Sequence, residues 1–180
     1  MYSFEWMQAQ PSSHAQTGGP PAAIQISPVG QILEKRLAGV EKELFGIASA
    51  MPGEKYSFLP SAGEFRGVRN FGKQLKHAAA FHYIVAAAIL NEPPPADAAD
   101  ERGPDSVRTK IEIVRYLTDS FAYLRKAIAS IDAGNSTEPV KTPFGKNPET
   151  RLGLVIAALA HTSNHYGQVV EYLRMNGIAP

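Results

Sequence analysis

The sequence contains no cysteine. That excludes a disulfide framework and every thiolate metal site, and leaves imidazole and carboxylate as the side chains able to hold a metal ion. Net charge is also nearly absent, because 18 Lys and Arg residues are interspersed with 17 Asp and Glu for a total of +1. Without a basic patch or stripe there is no electrostatic footprint for nucleic acid or anionic lipid, so neither partner is expected. No uninterrupted apolar run is long enough to span a bilayer, and the N-terminus lacks a basic stretch followed by an apolar one. A cytoplasmic protein is the expectation. Several catalytic signatures are missing too: a Gly-Lys-Ser/Thr phosphate loop, a dinucleotide fingerprint, a Gly-x-Ser-x-Gly elbow, His-Glu-x-x-His, and the Glu-x-x-His pairs of di-iron bundles.

What is present reads as one domain. With 180 residues, 44% of them apolar, the chain can bury a genuine core. Residues 1–23 are rich in Gln, Ser, Ala, Gly and Pro, and the Thr17-Gly18-Gly19-Pro20-Pro21 cluster cannot continue regular structure, so a poorly ordered arm is expected there. Tyr2, Phe4 and Trp6 alternate at its start as an extended segment would. Residues 24–180 carry four helical patterns. The first starts at Ser27-Pro28, with Ile32, Leu33, Leu37, Val40, Leu44 and Ile47 at spacings of three and four, and breaks at Met51-Pro52-Gly53. The second follows the capping-box spacing of Ser61 and Glu64 and runs from about Arg66 to Leu90, before Pro93-Pro94-Pro95. The third runs from Ser106 as N-cap to about Asp132; the fourth from near Thr150 to Asn176, with Gly177 as its left-handed cap. Tyr56-Ser57-Phe58 is the one short extended piece. The fold class is all-α, a four-helix bundle.

The last helix carries the most informative residues. His161 and His165 are four apart, an advance of roughly 400° that sends both imidazoles off one face and lets them converge on one metal ion. A tetrahedral catalytic site needs a third protein ligand and an open position, and His77 on the second helix is the plausible donor. Leu154, Ala158, His161, His165, Gln168 and Tyr172 form one stripe, flanked by an apolar one, so this helix is buried over most of its circumference. Burying two unsatisfied imidazoles costs about 1–3 kcal/mol each, which a metal would offset; hydrogen-bonded core histidines are the plainer alternative for such spacing.

The ending His161-Thr-Ser-Asn-His165-Tyr-Gly167-Gln168, followed by Tyr172-Leu173-Arg174 and Gly177-Ile-Ala-Pro180, resembles the C-terminal signature of the DinB/YfiT-like metalloenzyme family. Phe71-Gly72-Lys-Gln-Leu75-Lys-His77-Ala78-Ala79 looks like that family's apolar run ending in the first ligand histidine. The resemblance covers roughly Ser27 to Pro180. It implies an up-down-down-up bundle, His77, His161 and His165 as ligands, a divalent metal such as zinc or nickel, and a homodimer. Functionally it points to metal-dependent thiol S-transferases, some using a low-molecular-weight thiol, and to members with no known reaction.

The remaining polar residues receive plainer readings. His82 lies about 140° around the helix from His77 and reads as a satisfied core histidine, and His14 as a solvent-exposed residue of the arm. Gln168 and Tyr172 continue the ligand stripe and are pocket candidates, with Tyr83 and Asn164 behind them. No Asp or Glu falls within a turn of the three histidines on the helical projections, and Glu112 reads as a solvated partner of Arg115. The catalytic acid or base is therefore unassigned, which leans towards nucleophile activation or transfer over peptidase-like hydrolysis. Two functions are compatible with the sequence. One is a metalloenzyme, a transferase or hydrolase turning over a small molecule; the other is a non-catalytic bundle that binds metal or ligand.

Overall fold

A computed structural model describes residues 25–180 other than 97, 99 and 143. The expected arm of residues 1–23 lies outside the described residues. Four helices, α1 (Pro28–Ala50), α2 (Phe71–Leu90), α3 (Lys110–Ala129) and α4 (Arg151–Met175), build the domain among the described residues, with a 3-10 turn at Gly53–Lys55. A two-stranded antiparallel ribbon, β1 (Pro139–Val140) and β2 (Glu149–Thr150), leads into α4.

Side-chain contacts fix the helix directions. Arg125 near the end of α3 pairs with Glu34 and Glu41 on α1, at 2.6 and 2.7 Å, and Lys110 at the start of α3 donates to the carbonyls of Ser49 and Met51. These two helices are antiparallel. On α2, Gly72 lies against Ile113, His82 against Ser120, and Glu92 just beyond the helix against Tyr123 and Lys126, so α2 and α3 run in the same direction. Gln74 meets Gln168 and His77 meets His161, which makes α4 antiparallel to α2. The topology is up-down-down-up, with α3 and α4 each packed against both α1 and α2.

Helix boundaries differ from the expected ones where loop chemistry intervenes. The second helix starts at Phe71 and not Arg66: Gly63 and Gly67 adopt φ of +112° and +79°, which an α-helix cannot include, and Asn70 supplies the cap by accepting from the Lys73 N–H. Its end matches, with Asn91 in the left-handed region as the cap. The third helix starts at Lys110, because Thr109 and Glu112 form a reciprocal capping box that Ser106 has no counterpart for. That box also corrects the reading of Glu112, whose carboxylate accepts from the backbone N–H groups of Arg108 and Thr109, while Arg115 faces Asp119 at 4.0 Å. The third helix ends at Ala129, short of Asp132. Tyr56-Ser57-Phe58 is a turn following the 3-10 segment, and the extended residues lie instead in the ribbon before α4.

The main core cluster takes buried side chains from all four helices, including Leu37, Leu44, Phe71, Leu117, Phe121, Val155 and Leu173, and a smaller one joins Ala80 and Ile84 to Ala98 of the crossover. Each large side chain buried there contributes about 1.5–3 kcal/mol. Alanines at 78, 79, 80, 86 and 87 let α2 sit buried on nearly every side. Parallel neighbours cannot be joined by a tight turn, so the connection from Asn91 to Thr109 must travel back along the bundle. It crosses α2 at Lys76 and His77, where Lys76 donates to the Pro104 carbonyl and Gly103, at φ +70°, is pressed against Lys76 and Tyr116. A Cβ at Gly103 would come within 3.2–3.4 Å of both neighbours, so glycine is required for this crossing as well as for its backbone angle.

Candidate metal centre

His77 occupies the second turn of α2, and His161 and His165 the middle of α4, on facing surfaces of an antiparallel pair. His161 Nε2 lies 3.1 Å from His77 Nε2 and 3.2 Å from His165 Nε2. A ligating nitrogen from each of the three falls within 4.8 Å of the other two. In a tetrahedral site with metal–nitrogen bonds of about 2.0–2.1 Å, two ligand nitrogens stand about 3.3 Å apart, so the observed spacing suits one ion. All three candidates from the sequence are thus brought together.

Proton bookkeeping supports the same fit. His77 Nδ1 sits 2.7 Å from the carbonyl of Glu101, which can only accept, so Nδ1 carries the proton and Nε2 presents a lone pair. If His161 Nε2 then donates to His77, it has no lone pair left for His165, and one of the two contacts cannot be a hydrogen bond. Three lone pairs directed at one cation remove that conflict. Burial pushes the pKa of His161 down to about 3 and of His165 to about 4, with their neighbouring histidines adding to it. Desolvation also lowers His77, opposed in part by its bond to Glu101. Neutral imidazoles are the form a metal requires. The Arg69 guanidinium acts in the same direction on all three.

Aromatic packing fixes the rings. His161 stacks on Phe81 at a centroid distance of 3.9 Å, and Phe81 stacks in turn on Phe144 at 4.8 Å. Phe144 and Glu101 belong to the wall of a cavity of about 440 Å³ that also includes Ile84, Ala88 and Lys141. Glu101 is the carboxylate that helical projections could not supply: its Oε2 lies 3.9 Å from His77 Nδ1, behind the ring and away from the converging nitrogens. It holds a left-handed backbone conformation, φ +61°, uncommon for a residue with a Cβ. No motif in the sequence marks it, because the contact is made across the crossover.

The other candidates take defined places. Gln168 accepts from the Gln74 amide at 2.8 Å, one turn beyond His165, and the Tyr172 hydroxyl is committed to the Arg69 carbonyl at 2.9 Å. Tyr83 packs against Tyr116 and Tyr123 on the α3 side, and Asn164 is exposed. His14 lies outside the described residues. His82 is fully buried between Ser120 Oγ, 3.1 Å from Nδ1, and Thr162 Oγ1, 2.7 Å from Nε2, and burial drives its pKa to about 3. Ser120 and Thr162 also lie within bonding distance of the Leu117 and Ala158 carbonyls, so a neutral ring, with its single N–H, is satisfied at both nitrogens when one of the two hydroxyls turns its proton from its carbonyl to the ring.

These depressed values give the metal-free protein a defined pH response. Between pH 6.5 and the folded-state values near 3–4, the unfolded chain binds protons that the folded chain does not. Stability is therefore complete above pH 6.5 and falls as the pH drops below it. His82 alone contributes up to ~1.4 kcal/mol per pH unit. Urea midpoints of metal-free protein at pH 7.5 and pH 5 check this, with the midpoint expected to be clearly lower at pH 5.

A crystal structure of a conserved protein from Enterococcus faecalis shares the fold, with a TM-score of 0.61 at 16% identity over 79% of this chain and 94% of that one. No curated protein matches the sequence. The profile of the DinB superfamily matches residues 36–169, a span that contains α2, the crossover and all three histidines. By that match, the chain belongs to the DinB superfamily.

Proposed function

We propose that this protein is a metal-dependent enzyme acting on a small molecule, with zinc or nickel held by His77, His161 and His165. The observation that carries the reading is the convergence of three neutral imidazole nitrogens, at 3.1 and 3.2 Å, with Glu101, bonded to His77, and Phe144, stacked on the Phe81 that holds His161, forming part of the wall of a cavity of about 440 Å³. Three protein ligands leave a fourth position for a reactant, the arrangement of catalytic and not structural sites. Bound there, a divalent ion would supply Lewis acidity towards a thiol or a water molecule, which suits thiol-dependent S-transfer or hydrolysis.

The chain's own residues supply the rest. The Glu101 carbonyl fixes the His77 tautomer, Phe81 holds the His161 ring, and Ile84, Ala88 and Phe144 give the cavity an apolar wall for the substrate body. The Glu101 carboxylate borders the same cavity, 3.9 Å from His77 Nδ1 on the side of the ring away from the converging nitrogens, where it steadies His77 and does not reach the fourth position. No described helix is long and apolar enough to cross a membrane.

Metal analysis by inductively coupled plasma mass spectrometry on untagged protein, purified without chelator, tests the proposal. About one divalent ion per chain is expected, and reconstituted protein should turn over members of a panel of thiol–electrophile pairs or small esters. Protein that is metal-free as isolated, and that fails to take up added zinc or nickel, would overturn the proposal.

A further inference from the structure

Along α2 the apolar cavity lies on the C-terminal side of His77, at Ile84 and Ala88, and a second cavity of about 400 Å³ lies on the N-terminal side. Its charged lining is Arg69, Lys73, Lys76 and Arg102 against the single acid Asp105. Two of these cations are already engaged. Arg102 pairs with Asp100, and the buried Lys76 ammonium donates to the Pro104 carbonyl. Arg69 and Lys73 have no ion pair and no side-chain acceptor among the described residues.

Arg69 is held in place regardless. Its carbonyl accepts from Tyr172 on the ligand stripe of α4, and its side chain is half-buried. One turn before His77, Gln74 is 3% exposed and its amide nitrogen is used by Gln168, while its carbonyl oxygen has no partner among the described residues. A cation without a counter-ion and a buried acceptor without a donor therefore lie beside the three histidines. The histidines themselves are neutral ligands. With a dication between them, the centre and Arg69 carry positive charge opposed in this cavity by Asp105 alone, whose carboxylate forms no ion pair among the described residues.

We propose that Arg69, assisted by Lys73, binds the carboxylate or phosphate group of the small molecule whose reacting atom takes the fourth position at the three-histidine centre. This rests on the metal reading above and names the substrate class: an anionic small molecule, its oxyanion in the cavity on the Arg69 side. Guanidinium suits this role because its fork matches an oxyanion in two parallel hydrogen bonds. The Gln74 carbonyl receives a hydroxyl or amide donor of the same molecule.

Isothermal titration of zinc-loaded protein with mercaptoacetate, 3-mercaptopropionate and the uncharged 2-mercaptoethanol tests the assignment. At least one of the two carboxylated thiols is expected to bind about 10- to 100-fold more tightly than 2-mercaptoethanol, as a charge-assisted hydrogen bond would give. In Arg69→Gln that preference disappears with zinc content unchanged, and in Arg69→Lys it is partly retained. Equal affinity for charged and uncharged thiols, or a preference that survives Arg69→Gln, would overturn it. If zinc does not load, the metal reading fails separately, and inorganic phosphate and malonate are titrated into metal-free protein. Binding of either that is lost in Arg69→Gln sustains the oxyanion site and says which group it takes, whereas no binding of either overturns it.

Discussion

His161→Ala is expected to abolish metal binding while leaving the metal-free protein no less stable than the wild type. The two halves of this result have different causes. Loss of a direct ligand weakens affinity by well over the 10- to 100-fold that loss of a supporting partner costs, because two imidazoles and solvent replace three preorganised nitrogens. Added zinc should then fail to raise the melting temperature, whereas in the wild type it stabilises by about 2.7 kcal/mol at a hundredfold excess over Kd. Without metal, the three rings are a burden on the fold. The Nδ1 atoms of His161 and His165 are buried without a hydrogen-bond partner among the described residues, and the contacts between Nε2 atoms cannot all be hydrogen bonds. Removing one ring relieves that conflict and offsets the small cavity left behind. Differential scanning calorimetry with and without zinc separates the two effects. If these were ordinary core histidines, His161→Ala would lower the metal-free melting temperature and zinc would change neither protein.

The opposite behaviour is expected one turn away. His82→Ala should destabilise the fold by about 2–4 kcal/mol, a fall of roughly 5–15 °C in melting temperature for a chain of this size, while zinc stoichiometry is retained. His82 stands where α2, α3 and α4 meet, and its ring bonds Ser120 on α3 and Thr162 on α4. Alanine leaves a cavity in the fully buried centre and removes the ring that joins both hydroxyls. With the ring gone, both hydroxyls can give their protons to the carbonyls of Leu117 and Ala158, which bounds the loss. Retained zinc with lower stability marks His82 as a structural residue; loss of zinc would mean that its contact with Thr162, next to His161, positions the ligand helix.

The sequence was most readable where local geometry decides the outcome. His161 and His165 converge because a helix places residues four apart on one face, and that requires nothing from the rest of the chain. His82 separates from His77 for the same reason, and its role as a bonded core residue follows from burial. Helix starts were less readable, since Ser61 and Glu64 have capping-box spacing but the glycines after them turn the backbone out of the helical region, and Asn70 caps instead. The ribbon at Pro139–Val140 and Glu149–Thr150 is too short for any alternating pattern to show. Glu101 and Phe144 were not readable at all. Both reach the site from connections, and the path of a connection depends on which helices it must join and not on the periodicity of its own residues. Arg69 was not readable either, because the absence of a counter-ion among the described residues is a property of the assembled surface.

The parallel arrangement of α2 and α3 has a thermodynamic consequence. The connection between them is fastened to α2 partly through the proton on His77 Nδ1, which it receives at the Glu101 carbonyl, and that same proton assignment frees Nε2 for a cation. Seating the strap and loading the centre are linked equilibria: whatever free energy one lends the other must be returned in equal measure. If the centre takes a cation as proposed, a chain whose crossover is docked binds it more tightly, and a chain holding it keeps its crossover docked. The left-handed angle at Glu101, which alone would favour release, is tolerated within that mutual dependence.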